Sequence, residues 1–345
     1  MAMTFRLRAA LPSLVLLASA ASAQAAPAAG AATESFYATS LHFTNRGIEF
    51  VYSKTQGGLE VITGLPASEV GCVKAECHAA SCDACHRRDK DGKAAYTTDP
   101  AVAQAACERC HGAPEADGPD VHARKGMKCM SCHSTREVHG DGVAYDTYSQ
   151  PGVLDTRCER CHADLSKSAS HTIHRDTVAC AACHTAKIDT CVNCHVETRL
   201  GNGKETKIPL QGMLFLVNHD GRVTTANLLS YVYKGRTMIT LAPTFAHSVV
   251  RQGRACAECH DSAIVRAISA GTFTPVTWAD GKAANVKGVI PVLDPAAWRL
   301  PFLDRRDGSW VPLADGAPPV VHFSGSCAPL TREQLARLAT PRRAK

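Results

Sequence analysis

Seven segments of the chain read Cys-x-x-Cys-His, and any fold must place all of them. They are Cys82, Cys85 and His86; Cys107, Cys110 and His111; Cys129, Cys132 and His133; Cys158, Cys161 and His162; Cys180, Cys183 and His184; Cys191, Cys194 and His195; and Cys256, Cys259 and His260. Cys72, Cys77 and His78 make an eighth with a longer gap, Cys-x4-Cys-His. Of the 17 cysteines only Cys327 stands outside the pattern. A disulfide framework does not require a histidine after every second cysteine, and neither does a zinc site. A thioredoxin-like dithiol would occur once.

The motif is the attachment signature of haem c. Thiols at i and i+3 meet the two vinyl groups of one porphyrin. The histidine at i+4 lies over the first cysteine on a helical turn, so its imidazole ligates the iron from the same side. The reading is therefore eight covalently bound haems.

Eight histidines remain outside the motifs: His42, His122, His139, His171, His174, His219, His247 and His322. Eight six-coordinate irons need eight distal ligands, and the numbers match. Met127 and Met130 sit beside or inside a motif and are poorer candidates. Bis-histidine iron has no open position and exchanges electrons without binding substrate, so no catalytic residue is expected.

Between Cys72 and His260 there is too little polypeptide to build a core around each haem. The porphyrins must supply much of the apolar core and lie close together. The expected fold is a multihaem cytochrome of short helices and irregular coil wrapped around packed haems, with small β-hairpins. One hairpin is expected over Phe43 to Thr63, around Gly57-Gly58. A second runs from Met213 through a turn at Asn218-His219-Asp220-Gly221 to Val223 and beyond.

Arg6 and Arg8, the apolar run Ala9 to Ala20 and the small-x-small site Ala21-Ser22-Ala23 read as a signal peptide over residues 1–23. Residues 24–35 read as a flexible leader, 36–70 as the segment carrying the first hairpin, and 71–265 as the haem core. Residues 266–345 read as a wrap without motifs, with short β pairs and a helix near Arg332 to Leu338. Cys327 is expected to be an unpaired or buried thiol, with an intermolecular disulfide as the alternative. Export implies a periplasmic or extracellular protein. The formal charge of +6 does not signal nucleic acid, because eight haems bring about −16 of propionate charge and no basic recognition stripe is present.

With these motifs in place the chain resembles the octahaem c-type cytochromes over roughly residues 72–260. The stretch His122-x6-Cys129-x2-Cys132-His133-x5-His139, followed by Gly140-Asp141-Gly142, is similar to their ligand-exchange pattern. So is His171-x2-His174-x5-Cys180. The resemblance implies either electron carriage or the chemistry of hydroxylamine oxidoreductases and octahaem nitrite or tetrathionate reductases. It also admits a subunit of a cytochrome filament. The reductases commonly have a motif ending in lysine, or a haem without a distal ligand; here every motif ends in histidine and the chain is shorter. Carriage between redox partner proteins is the first expectation, from a quinol-side donor to an outer-membrane or extracellular acceptor. An oxyanion oxidoreductase and a homo-oligomer or filament are the alternatives.

Overall fold

Five two-residue turns ending in glycine set most of the strand pairing. Asp91-Gly92, Asp220-Gly221, Lys234-Gly235, Asp280-Gly281 and Asp307-Gly308 all have positive φ at both residues. That is the type I′ geometry whose twist matches a hairpin. The computed structural model describes residues 36–71, 79, 81–112, 118–165, 167–244, 247–314 and 317–340. The expected signal peptide and leader, and the motif Cys72, Cys77 and His78, lie outside the described residues.

In chain order the strands are β1 (Arg87–Lys90), β2 (Lys93–Tyr96), β3 (Thr190–His195), β4 (Ile208–Leu210), β5 (Met213–His219), β6 (Arg222–Tyr233) and β7 (Arg236–Pro243). After these come β8 (Val276–Ala279), β9 (Lys282–Asn285), β10 (Gly288–Pro291), β11 (Leu303–Arg306), β12 (Ser309–Pro312) and β13 (Val320–Phe323). Three pairs, β1–β2, β8–β9 and β11–β12, stand as separate hairpins.

The other strands form one seven-stranded sheet. Its path is β10-β5-β6-β3-β4, with β7 on β6 and β13 on β7. The meander β5–β6–β7 is antiparallel, while β3 lies parallel to β6, β10 to β5 and β13 to β7. The expected hairpin at Met213 is thus present, with its strands running to His219 and from Arg222. It is the centre of a larger sheet than sparse hairpins would make. The segment after residue 265 is more than a wrap, since it supplies two of the sheet strands.

The first expected hairpin is not formed. Residues Arg46–Tyr52 and Glu60–Thr63 are helical, and Gly57-Gly58 joins them. A Cβ on Gly58 would lie 2.3 Å from the Val51 carbonyl oxygen, so only glycine fits this close return. Leu59 and Ile62, one helical turn apart, are buried with Val70 against Tyr231, Tyr233 and Met238 of the sheet. Burial on a single face at that spacing favours helix over strand.

The apolar core belongs to the sheet. Met213, Phe215 and Val217 point into one cluster with Leu228, Ile239, Leu241 and Ile290. Leu214 and Leu216 point into another with Ile188, Val289 and Leu330. β5 is therefore buried on both faces, at about 1.5–3 kcal/mol for each large side chain. The helix Arg332–Ala339 closes the chain as expected. Cys327 is buried 3.6 Å from the Leu241 carbonyl, and burial pushes its thiol up to about 12.

Residues 79–177 contrast with this. Four motifs fall there, yet among the described residues the only buried hydrophobic ones are Ala106 and Val153. Burial of its own apolar side chains therefore contributes little to holding this segment in shape.

Candidate functional site

The motifs sit mostly on single turns. Asp83–His86, Cys180–His184 and Cys256–Cys259 are α-helical, Cys129–Ser131 and Cys158–Arg160 are 3-10 turns, and Cys107 to His111 end the helix Pro100–His111. This is the local geometry expected of an attachment motif.

Six motif histidines each face one histidine from outside the motifs. The ring centroids are 6.2 Å apart for His42–His111, 6.0 Å for His86–His139 and 6.1 Å for His122–His162. They are 6.2 Å apart for His133–His247, His171–His184 and His174–His260. Two imidazoles sharing one metal ion, with bonds of about 2.0 Å and ring centres about 1.1 Å behind each nitrogen, stand about 6.2 Å apart. Face-to-face rings would lie closer; edge-on contacts reach the same distance, as Tyr37 and His139 do at 6.1 Å. What sets the six pairs apart is that each joins one motif histidine to one histidine outside the motifs within a spread of 0.2 Å.

The ring nitrogens agree with that arrangement. Nδ1 of His86 hydrogen-bonds the Thr97 carbonyl at 2.8 Å, that of His184 the Val250 carbonyl at 2.9 Å, and that of His260 the Arg337 carbonyl at 3.1 Å. Nδ1 of His174 meets the Ser170 carbonyl at 3.1 Å and that of His42 the Tyr148 hydroxyl at 2.7 Å. Nδ1 of His133 lies 2.6 Å from Glu137 Oε2. A ligating histidine characteristically uses its second nitrogen this way, which leaves Nε2 to the metal. Burial, with His111, His133 and His139 nearby, pushes the His42 imidazole below its ordinary range; burial and His86 do the same to His139. Neutral imidazole is the ligating form.

The thiols give the order of the sites. Burial raises the Cys85 thiol, and neighbouring Cys110 adds to the effect. Cys129 N–H donates to Gln104 Oε1 at 3.0 Å on the helix that carries Cys107, and the Cys180 thiol lies 4.0 Å from Glu159 Oε1 inside the Cys158 motif. Burial and the Cys161 thiol raise Cys132. Burial pushes Cys259 up to about 12, with Cys183 beside it. The six motifs therefore follow one another as neighbours, in the order 82–86, 107–111, 129–133, 158–162, 180–184, 256–260. Apolar side chains around the pairs are left bare, as with Ile173, 65 % exposed between His171 and His174. The residues present fit haem c: facing imidazoles at metal-sharing distance, thiols beside them, and apolar surface where protein core is missing.

The motif Cys191, Cys194 and His195 differs. It lies on β3, where strict alternation would send residues three apart to opposite faces. A bulge between Cys191 and Cys194 corrects this, since their partners Leu229 and Tyr231 on β6 are two apart. Asn193, with φ of 57°, carries the bulge; it is fully buried, with Nδ2 donating to the Pro301 carbonyl and Oδ1 accepting from Leu303 N–H. Both thiols thus share a face, but His195 pairs with Val232 and points to the other.

There His195 Nε2 lies 2.9 Å from Asp304 Oδ1, and its Nδ1 lies 2.8 Å from Thr198 Oγ1. The hydrogen bond to His195, with burial opposing it, holds the Asp304 carboxyl below its usual range. His195, Glu197 and Asp304 bring potential ligand atoms within 4.8 Å of one another. Lys234, Arg305 and Arg306 line the same open cavity of about 580 Å³. Sequence reading missed Asp304 and this cationic wall, because nothing in their local sequence links them to the motif. Among the described residues no histidine faces His195. His322 is buried on β13, and burial lowers its imidazole. His219 ends β5.

No family model matches the chain, and no solved structure matches it. Among characterised proteins, the dissimilatory sulfite reductase MccA of Wolinella succinogenes is 29 % identical over 89 residues, which is 21 % of this chain and 12 % of that protein. The chain therefore matches about one eighth of that relative's length. This likeness is partial. It points to multihaem cytochromes in general and, with the motifs, to haem c.

Proposed function

We propose that this protein is an exported electron carrier in which eight haems c are strung along the chain. The observation that carries the reading is the six histidine pairs at 6.0–6.2 Å. His111 with His42, His86 with His139, His162 with His122, His133 with His247, His184 with His171 and His260 with His174 would each hold one iron. The cysteines of the same motifs would hold the porphyrins. The remaining haems belong to Cys72, Cys77 and His78 and to Cys191, Cys194 and His195, with His219 and His322 as the unassigned distal histidines.

A haem closed by two imidazoles supplies one-electron exchange at low potential. The chain's own part is to fix at least one ring of each of these pairs but His122–His162 through an Nδ1 hydrogen bond, at His42, His86, His133, His174, His184 and His260. It also offers two imidazoles to each iron and sets successive motifs side by side. Such a series passes electrons between a donor and an acceptor protein without binding a small substrate. No helix of the described residues is long and apolar enough to cross a membrane. Export rests on the signal-like residues 1–23.

A second reading is favoured by one observation. His195 faces a cavity lined by Lys234, Arg305 and Arg306 instead of a histidine. A haem on that motif with an open axial position would stand among three cations and the two carboxylates of Glu197 and Asp304, the latter paired with Arg306 at 3.5 Å. This net positive lining would suit an oxyanion. The sulfite reductase among the similar proteins gives that reading its substrate class. Haem count by mass and EPR of the oxidised holoprotein test both. Eight haems, all low-spin, support the carrier; one high-spin haem, lost when Cys191 and Cys194 are replaced by Ser, supports the oxidoreductase.

A further inference from the structure

Of the Nδ1 hydrogen bonds described above, one ends on a carboxylate. Glu137 Oε2 lies 2.6 Å from His133 Nδ1, and the Glu137 side chain is 2 % exposed. The helix Thr135–His139 begins directly after the motif and carries Glu137 four residues beyond His133, a spacing that brings two side chains together. The Ser134 hydroxyl caps that helix by accepting from Glu137 N–H at 3.3 Å.

The carboxylate is fixed at its other end as well, where Oε1 accepts from the Asp155 backbone N–H. The adjacent cation does not neutralise it. Arg136 binds Asp155 at 2.7 Å and Asp141 at 2.8 Å instead.

We infer that Glu137 sets the reduction potential of the site between His133 and His247, and holds it below those of the neighbouring sites. The inference rests on the proposal that these two histidines ligate one iron. A carboxylate behind a ligating histidine raises the basicity of that ligand. It also fixes a negative charge in a buried place, where charges act more strongly than in water. Reduction adds one electron to the site and moves no proton, since the Nδ1 proton stays within the His133–Glu137 hydrogen bond. The oxidised form is therefore favoured. At the two neighbouring sites, His42 Nδ1 meets the neutral Tyr148 hydroxyl at 2.7 Å, and Asp120 Oδ1 stands 3.7 Å from His122 Nδ1, beyond hydrogen-bond reach. The Asp120 carboxylate accepts instead from the backbone N–H groups of His122, Ala123 and Val249, so the same push is weaker there. Because the motif Cys129–His133 lies between those of Cys107 and Cys158 in the order of motifs, the site lies inside the line, and electrons crossing it in either direction meet an uphill step.

The test is a spectroelectrochemical titration of wild type and Glu137→Gln, with haem count by mass. The amide keeps an acceptor for Asp155 N–H and removes the charge. The expected result is full haem content and one midpoint raised by at least 59 mV, a tenfold change in a one-electron equilibrium, with the others unmoved. Full haem content with unmoved midpoints overturns the inference and leaves the ligation proposal standing. A wild type without a low-spin haem assignable to His133 and His247, judged by the loss of one low-spin signal in His247→Ala, overturns the ligation proposal itself. EPR of wild type reads the same effect without relying on how Glu137→Gln folds. One low-spin signal should show the reduced anisotropy of a strongly donating imidazole, and its absence also overturns the inference.

Discussion

His171 and His174 leave one turn of the same short helix and face different partners. His171 stands 6.2 Å from His184 with 27° between ring planes, and His174 stands 6.2 Å from His260 with 28°. The helix Ala169–His174 is capped by Ser168, whose hydroxyl accepts from His171 N–H at 3.3 Å. One turn of backbone thus ties two consecutive members of the line of motifs, Cys180–His184 and Cys256–His260.

Because the two rings have separate partners, they should be separable by mutation. His174→Ala should convert one low-spin haem to high-spin while leaving the haem of His184 and His171 unchanged. EPR with haem count by mass reads this. Loss of two low-spin signals would mean that the two histidines do not act at separate irons. His122→Ala should likewise open only the site at His162.

Gly140 ends the helix that carries both Glu137 and His139. Its φ is +81° with ψ 176°, a region that is essentially glycine's own, and a Cβ there would lie 2.9 Å from the Phe36 carbonyl oxygen. Gly140→Ala should therefore cost about 1–3 kcal/mol. His139 immediately precedes Gly140 and faces His86 at 6.0 Å, so the damage should also appear as a partly high-spin signal from that site. Urea unfolding and EPR together check it; a variant with wild-type stability and spectrum would show that Phe36 yields freely.

Arg136 and Asp155 link the Cys129 motif to the approach of the Cys158 motif. The guanidinium grips the carboxylate through two nitrogens, Nη2 to Oδ1 at 2.7 Å and Nε to Oδ2 at 3.1 Å. These bonds, with that from Ser134, lower the Asp155 carboxyl to about 2. A carboxyl depressed in the folded state stabilises it fully above the ordinary carboxylate range, near 4, and that contribution is lost as pH falls toward the folded value. Asp155→Asn should cost about 1 kcal/mol near neutral pH, since both side chains are partly exposed. The gap in urea midpoint between wild type and variant should close between about pH 4 and pH 2. A gap that persists at pH 2 would mean the pair is not its source.

Much of the site was legible in the sequence, and the sheet was not. The attachment motifs follow from cysteine and histidine spacing alone. Matching eight spare histidines to eight motifs gave the expectation of a distal set, and six of those histidines stand opposite motif histidines. Which faces which was hidden, because His247 meets His133 and His139 meets His86 across folds that local spacing does not encode. The seven-stranded sheet was underestimated because β3, β10 and β13 join it in parallel register from distant segments. The Asp-Gly pairs at 91–92, 280–281 and 307–308 did carry a readable hairpin signal. The segment Phe43 to Thr63 was misjudged because Gly57-Gly58 suggests a hairpin as readily as a helix connection, and only burial of Leu59 and Ile62 against the sheet decides between them.

Asp304 and His195 decide whether the chain ends as a carrier. The carboxylate lies 2.9 Å from Nε2, the nitrogen a haem iron would take, and it also accepts from Arg305 N–H at 2.8 Å. Arg305 stacks over Trp310 at 4.9 Å, which holds its guanidinium at the cavity wall. If both axial positions at this motif are closed in the holoprotein, sulfite or nitrite added to the oxidised protein should leave the visible and EPR spectra unchanged. That is the outcome expected of a carrier. A saturable change with either anion, weakened at least tenfold in the double variant Arg305→Ala, Arg306→Ala and abolished by Cys191→Ser, Cys194→Ser, would transfer the function to this cavity. A change that survives both variants would locate the open iron at another motif, since neither the cations nor the thiols of this one would then be involved.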